Sequence, residues 1–497
     1  MKNLVALLLA ALMLLACTAL AEIDPSIPTD QTTEIVFWHS FTGDDEAALL
    51  AQIEAFQAEY PYIAVKPQYI GGYNDIHTEL ASANAAGVGV PALCVINVPR
   101  LTSYAKDDVV EDLNPYIEAF ADQINFADFY DGMTTAMNND GKQTALPFGQ
   151  SGQIFYYNKT LLSELGVTFP EKLEDMDAFL KTVSEATGKP ALEIHGADNA
   201  YFYCMFCNLG AYMIDVETNT TGLDAEVALD LIKRIRSWVD AGYVKWVDTD
   251  VGNTLRLDFT SGATASVLYT SSLYSSYKAM AEAGTNGAVF EVGIANQPMG
   301  ITNYQFVAGA TLILPSCECN TQAQKNAAFL LASYLTAPKQ QLEWATVSSY
   351  YVTRKSASTD PQYAEAYQAL LEKLPETDVI DLNSYVSKTK HPLFDKCGDV
   401  FENYMSEIMN NGMDPEEGWE MMVEEINDTL ADAYSESRAS IQGGGWACPS
   451  PVFRKERETW QRRRAASRST GGRSACALKG IPGRISSWRC PQCCCWC

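Results

Sequence analysis

The stretch 91–98 reads PALCVINV, eight residues without a charge and with Asn97 as the one hydrogen-bonding side chain. A strand reads this way when both of its faces are buried, as in a central parallel strand covered by helices on two sides. The residues before it fit that setting. Residues 34–38 (EIVFW) form a short apolar strand. A helix follows from Asp44, with Asp44, Asp45 and Glu46 in its first turn, where negative charge suits the helix dipole. Leu49, Leu50, Ile53 and Phe56 give it helical spacing, and Tyr60-Pro61 ends it. A second strand at 63–69, the pair Gly71-Gly72 and a helix at 74–86 lead to the buried run. Strand–helix–strand–helix–strand in this order predicts an α/β layer with parallel strands.

The alternation returns downstream. Strands are expected at 153–157, 263–269, 288–295 and 309–314. Helices are expected at 173–185, 225–241, 322–335 and 339–346, the last two split by Pro338, with a final acidic helix at 415–433. No internal repeat is visible. Pro147-Phe148-Gly149 is a natural crossing point between two lobes. The chain has 497 residues and is 47% hydrophobic, room for about two to four domains with a sizeable core.

Charge and cysteine are unevenly spread. From residue 443 onward eleven Lys and Arg face only Glu456 and Glu458, a local charge of +9. The rest of the chain therefore carries −36 of the net −27. Such an acidic body argues against a nucleic-acid partner, since phosphate binding needs a basic surface. Seven of the fourteen cysteines also fall in these last residues, so 441–497 is expected to lie outside the fold. Its CPQCCCWC ending is too crowded for an orderly zinc site.

Residues 1–21 read as a signal segment: one Lys, then a thirteen-residue apolar run, too short to span a bilayer. Cleavage after the A-x-A at Ala19-Leu20-Ala21 and lipidation of Cys17 in Leu14-Leu15-Ala16-Cys17 are both open. Either places the protein outside the cytoplasmic membrane, in the periplasm or anchored at the surface. Residues 22–33 read as a linker.

Signatures of catalysis and cofactors are missing. His39, His77, His195 and His391 have no ligand spacing, and neither a G-x-G-x-x-G nor a P-loop nor a G-x-S-x-G elbow occurs. No metal or cofactor is expected. Cys204-Met-Phe-Cys207 has redox spacing, but its surroundings are aromatic and lack the positive charge that stabilises a thiolate, so a core helix turn is the better reading. Cys317-Glu-Cys319 reads as a turn.

Six segments, in order, carry a resemblance: EIVFWHSFTG; YIGGYNDIHTELASANAAGVGVPALCVINV; ALPFGQSGQIFYYNKTLLSELGV; FTSGATASVLYTSSLYS; FVAGATLILP; and YLTAPKQQLEWATVSSYYVTRKSA. Together they resemble family 1 of the bacterial extracellular solute-binding proteins, the substrate-binding components of ABC importers for sugars and glycerol 3-phosphate. The resemblance covers roughly residues 34–440. It implies a two-lobed periplasmic-binding-protein-like α/β fold with a hinge and an interlobe ligand cleft. One lobe would be 34–148 with 297–332, the other 149–296 with 333–440. It also implies a monomer that captures its solute by hinge closure and hands it to membrane permease subunits.

Sugars present hydroxyls and weakly apolar C–H faces, so their sites need aromatic planes beside short polar groups. The candidates are Trp38 and His39 at the first strand end, where Trp38 equally suits packing; Tyr73 after the glycine pair; Asn97 at the end of the buried run; Gln150 and Ser151 past the hinge; Ser271 and Ser272 after a strand; Gly309, for close backbone approach or for a plain turn; and Tyr350 and Tyr351, one of which should reach the cleft. The basic residue that pairs with phosphate in glycerol-3-phosphate binders has no Arg counterpart here; Lys388, Lys390 and Lys396 stand in that region. A neutral sugar or oligosaccharide is therefore the expected ligand. Glycerol 3-phosphate or a phosphodiester is the alternative. A secreted carbohydrate-active enzyme would need two carboxylates converging in the cleft. A surface lectin or chemoreceptor partner would use the same cleft without transport.

Overall fold

The computed structural model describes residues 23–248, 251–374, 377 and 379–442. The expected signal segment with Cys17, and the tail from 443 with its seven cysteines, lie outside the described residues.

Among the described residues, ten strands of four residues or more carry the architecture. In chain order they are β1 Thr33–His39, β2 Ile63–Tyr69, β3 Leu93–Asn97, β4 Leu146–Ser151, β5 Gln153–Asn158, β6 Leu192–His195, β7 Val244–Val247, β8 Ser266–Thr270, β9 Val292–Ala295 and β10 Ala308–Ile313. The helices that matter most for the site are α1 Gly43–Glu59, α2 Tyr73–Ala86, α3 Asn199–Cys207, α4 Gln322–Leu335, α5 Pro338–Ser348 and α6 Phe394–Asn410.

The strands form two five-stranded sheets, ordered β2-β1-β3-β10-β4 and β9-β5-β8-β6-β7. β1 is parallel to both β2 and β3, as the opening alternation predicts. β10 then runs antiparallel to β3 and β4, so the first sheet is mixed. In the second sheet β6 is parallel to β7 and β8, whereas β5 is antiparallel to β8 and β9.

Each sheet is covered on both faces, which explains the continuous apolar runs. In the first, Leu93 and Val95 face a core with Leu49, Ile53 and Phe56 of α1 and Phe329 of α4. Cys94 and Ile96 face Ile76 and Leu80 of α2. In the second, Phe155 joins the cluster around α3, and Ile154 and Tyr156 join the one around Phe259 and Tyr277. Residues alternating along one strand thus feed two cores.

Two assignments change. The segment before β1 is docked on the first half: the Asn326 side chain donates to the carbonyls of Asp24 (2.7 Å) and Ser26 (3.0 Å), and Ile23 and Ile27 pack on the core. A linker would leave those apolar groups in water. Helix α5, expected with the second lobe, is shared. Its Trp344 is buried with Phe41 and Phe148, while Leu342 and Ala345 join the core containing β5 and β9. The Cys317/Cys319 turn is closed by a disulfide. Cys204 and Cys207 are free and buried in α3, and burial pushes the Cys207 thiol up to about 12. Neither is poised as a thiolate.

Candidate functional site

Topology places the site. Strand β4 runs into β5 with only Gly152 between them. Strands β1 to β4 all end at one edge of the first sheet, where β10 begins. Strands β6 to β9 all end at one edge of the second sheet, where β5 begins. The direct β4–β5 crossing sets these two edges against each other, and β9 returns to β10 by a second crossing. Strand ends and their following loops therefore meet along a seam, the usual place for ligands in α/β sheets. Gly152 is required there: a Cβ would lie 2.4 Å from the Tyr385 hydroxyl.

The predicted residues divide at this seam. Tyr73, Tyr350 and Ser272 meet. The Tyr350 hydroxyl lies near Tyr73 and Ser272, and that of Tyr73 near Ser40. Burial raises both phenols above their ordinary range, so both remain neutral donors. The Tyr350 ring lies parallel to Trp344 at 6.1 Å and edge-on to Phe41 at 6.4 Å. Ser272 also bonds Thr270 at 3.1 Å. Burial raises the Asp45 carboxyl, whose charge faces the Tyr73 and Tyr350 hydroxyls from the first turn of α1.

Others serve the framework. Trp38 packs with Ile76, Leu80 and Ile96 and donates to Gln68 at 2.9 Å, so the packed strand end is its place and not the cleft. His39 is 1% exposed between Phe41 and Tyr69, and burial lowers its pKa, leaving the imidazole neutral. Gln150 donates to the Ala310 carbonyl at 2.6 Å. Ser151 is buried opposite Ala308 in the ladder. Ser271 accepts from the Gly152 amide at 3.2 Å, which ties the crossing to the second sheet. Gly309 has φ +96°, and a Cβ there would sit 2.2 Å from the Gly149 carbonyl oxygen, so close strand packing demands the glycine. Tyr351 turns away to bond Tyr385 at 2.8 Å; of the two tyrosines, Tyr350 is the one at the seam.

Three aromatic residues were missed. His195 ends β6, Tyr269 lies near the end of β8, and Tyr201 opens α3. Their rings are parallel within 12°, with centroids 4.7 to 5.7 Å apart. The position of Tyr269 at the end of a predicted strand was the available signal; Tyr201 was hidden in an all-apolar helix.

Four amide oxygens at the strand ends and crossings, those of Asn97, Gln150, Asn296 and Gln297, are buried without a protein donor among the described residues. The amide nitrogens of Gln150 and Gln297 are committed to backbone carbonyls, which fixes those two oxygens as acceptors. Arg100 donates to Asn74 at 3.1 Å. Lys388 sits 5.9 Å from the Phe306 and Phe394 rings, and Lys390 donates to the carbonyls of Thr135 and Asn138. Lys396 is exposed in the first turn of α6. No group of three or more acidic, His or Cys side chains suited to a metal occurs among the described residues.

The sequence matches the family described as bacterial extracellular solute-binding protein over residues 51–370, well over half of the chain. The chain belongs to that family. It is a family of binding proteins, not of enzymes. The solute-binding protein is 26% identical over 208 residues to the arabinooligosaccharide-binding protein of Bacillus subtilis, covering 41% of this chain and 46% of that one. It is 28% identical over 157 residues to the sn-glycerol-3-phosphate-binding periplasmic protein UgpB of Pectobacterium atrosepticum, covering 31% and 34%. These matches span under half the length of either relative. The sugar-binding protein MalE of Xanthomonas citri has the same fold, with a TM-score of 0.70 at 19% identity, covering 82% of this chain and 99% of that one. No helix among the described residues is long and apolar enough to cross a membrane.

Proposed function

We propose that this solute-binding protein captures a neutral sugar or oligosaccharide at the seam, leaves it chemically intact, and delivers it to the membrane subunits of an ABC importer. It works outside the cytoplasmic membrane, in the periplasm or anchored at the surface, as a monomer of two lobes that close on the ligand. The observation that carries this reading is that the Tyr73, Tyr350 and Ser272 hydroxyls and the parallel His195, Tyr201 and Tyr269 rings both stand at the abutting strand ends. Hydroxyls orient a sugar, and aromatic planes cover its C–H face. The unpaired amide oxygens favour a ligand that donates hydrogen bonds, as hydroxyls do. The acidic body points the same way. Kinship with an arabinooligosaccharide-binding protein supports a glycan. Kinship with a glycerol-3-phosphate-binding protein keeps the phosphorylated ligand as the alternative to be tested.

A hydrolase is disfavoured by its own requirement. The carboxyl with the most telling shift, Glu193 at about 7, is fully buried in β6 and pairs with Lys245 at 2.9 Å, beyond reach of a substrate.

A thermal-shift screen against arabinan and maltose oligosaccharides, glycerol 3-phosphate and glycerophosphodiesters tests the reading. A neutral oligosaccharide at a hundred times its Kd should add about 2.7 kcal/mol of stability, and mass spectrometry should recover it unchanged. A shift with glycerol 3-phosphate and none with any glycan would reverse the choice of ligand.

A further inference from the structure

Strand β10 starts at the seam and runs away from it, so the turn that follows stands at the far end of the first sheet. Residues 315–321 of that turn read PSCECNT. It is held from both sides by bonds that do not involve sulfur. The Ser316 amide donates to the Val109 carbonyl at 2.8 Å, and the Glu111 amide to that of Leu314 at 2.9 Å. The Asn320 side chain donates to the carbonyls of Val90 and Pro91, both at 3.2 Å. Thr321 then caps α4, its hydroxyl accepting from the Gln324 amide at 3.3 Å. On this frame the Cys317–Cys319 disulfide encloses a single residue, Glu318. Closing so short a loop constrains the unfolded chain little, so stability is a poor reason for the bridge.

The two sulfurs differ. Cys317 is half-buried against the core around Ile313 and Cys94, whereas Cys319 is exposed. The Cys319 amide donates to the Cys317 sulfur at 3.1 Å, and a sulfur that accepts an amide proton is the better leaving group. Cys94, Cys204, Cys207 and Cys397 are free and buried, so Cys319 is the one exposed cysteine among the described residues. We propose that the Cys317–Cys319 bridge is a thiol–disulfide exchange site whose substrate is a small thiol arriving from solution. The incoming thiolate attacks the Cys319 sulfur and forms a mixed disulfide there. The bond to Cys317 breaks, and its electron pair leaves with Cys317, which takes a proton from water. A second thiolate attacks the sulfur of the bound thiol, releasing a small disulfide and leaving Cys319 as a thiol. Two small thiols are thereby oxidised to one disulfide while the protein bridge is reduced to two thiols. An exposed bridge is the labile kind. The pinned turn keeps both cysteines in place when the bridge is open, so a small disulfide closes it again by the same steps reversed. The site is remote from the seam and does not depend on which solute is bound there.

The test treats the full-length protein, never reduced beforehand, with L-cysteine under native conditions. Open thiols are then blocked with N-ethylmaleimide and the peptides mapped by mass spectrometry. The first product should carry L-cysteine on Cys319 and the maleimide on Cys317. Cys94, fully buried in β3, reports unfolding and should stay unlabelled. Two variants assign the attacked sulfur. In Cys317→Ser, treated with L-cystine, the lone Cys319 should form the same adduct. In Cys319→Ser, the half-buried Cys317 should lose most of it. A bridge left intact by L-cysteine would overturn the proposal, as would labelling of Cys94 in step with Cys319, which would mean that exchange needs unfolding. Equal adducts in the two serine variants would remove the role given to Cys319.

Discussion

Trp38 and Tyr350 are both aromatic residues at the ends of regular elements, and the local physics sends them in opposite directions. Trp38 lies in a strand buried on both faces, with its N–H satisfied by Gln68. Tyr350 follows a helix end and carries its hydroxyl to the seam. This difference was not legible from residue type, because an indole and a phenol suit either place until strand pairing is known. It is testable. Trp38→Phe should cost roughly 1–3 kcal/mol in urea unfolding and leave ligand affinity unchanged, whereas Tyr269→Ala should weaken binding about tenfold while the protein stays folded. Equal affinity losses in both would return Trp38 to the site.

At the scale of elements, the long periodic segments were legible: the three opening strands, the strand at β5 and the helices α4 and α5 fall where the pattern puts them. The four-residue strands β6 (LEIH) and β7 (VKWV) were not, because each carries a charge in its middle. Their register explains the charges. Glu193 stands opposite Lys245, and Asp258 joins the same lysine. Burial raises Glu193 from 4.5 to about 7, opposed by Lys245 and reinforced by Asp258. An acid held protonated by the fold supports stability fully below its unfolded value, near 4.5, and that support is lost as pH rises through about 7. The unsubstituted protein should therefore lose up to about 3 kcal/mol between pH 4.5 and 8 relative to Glu193→Gln. Parallel pH profiles of the two unfolding midpoints would show the cluster to be uncoupled from folding.

At the scale of the whole molecule, two sheets facing each other across short crossings were implied by the resemblance, and the alternating pattern alone gave no more than α/β layers. The seam needs the antiparallel strands β5 and β10, whose direction no local signal carries. It is the return of β10 between β3 and β4 that brings Gly309 against Gly149, and the run from β4 through Gly152 into β5 that brings the strand ends together. A cavity of about 290 Å³ is lined by Tyr130, Tyr351, Arg354 and Tyr367. It competes with the seam as a place for a ligand, which makes location the decisive quantity. Hydrogen–deuterium exchange with and without the solute identified by the thermal screen measures it directly. The account predicts slowed exchange in the peptides carrying Tyr73, Tyr201, Tyr269 to Ser272 and Tyr350. Slowed exchange confined to the peptides around Tyr130 and Tyr367, with the seam unchanged, would contradict it.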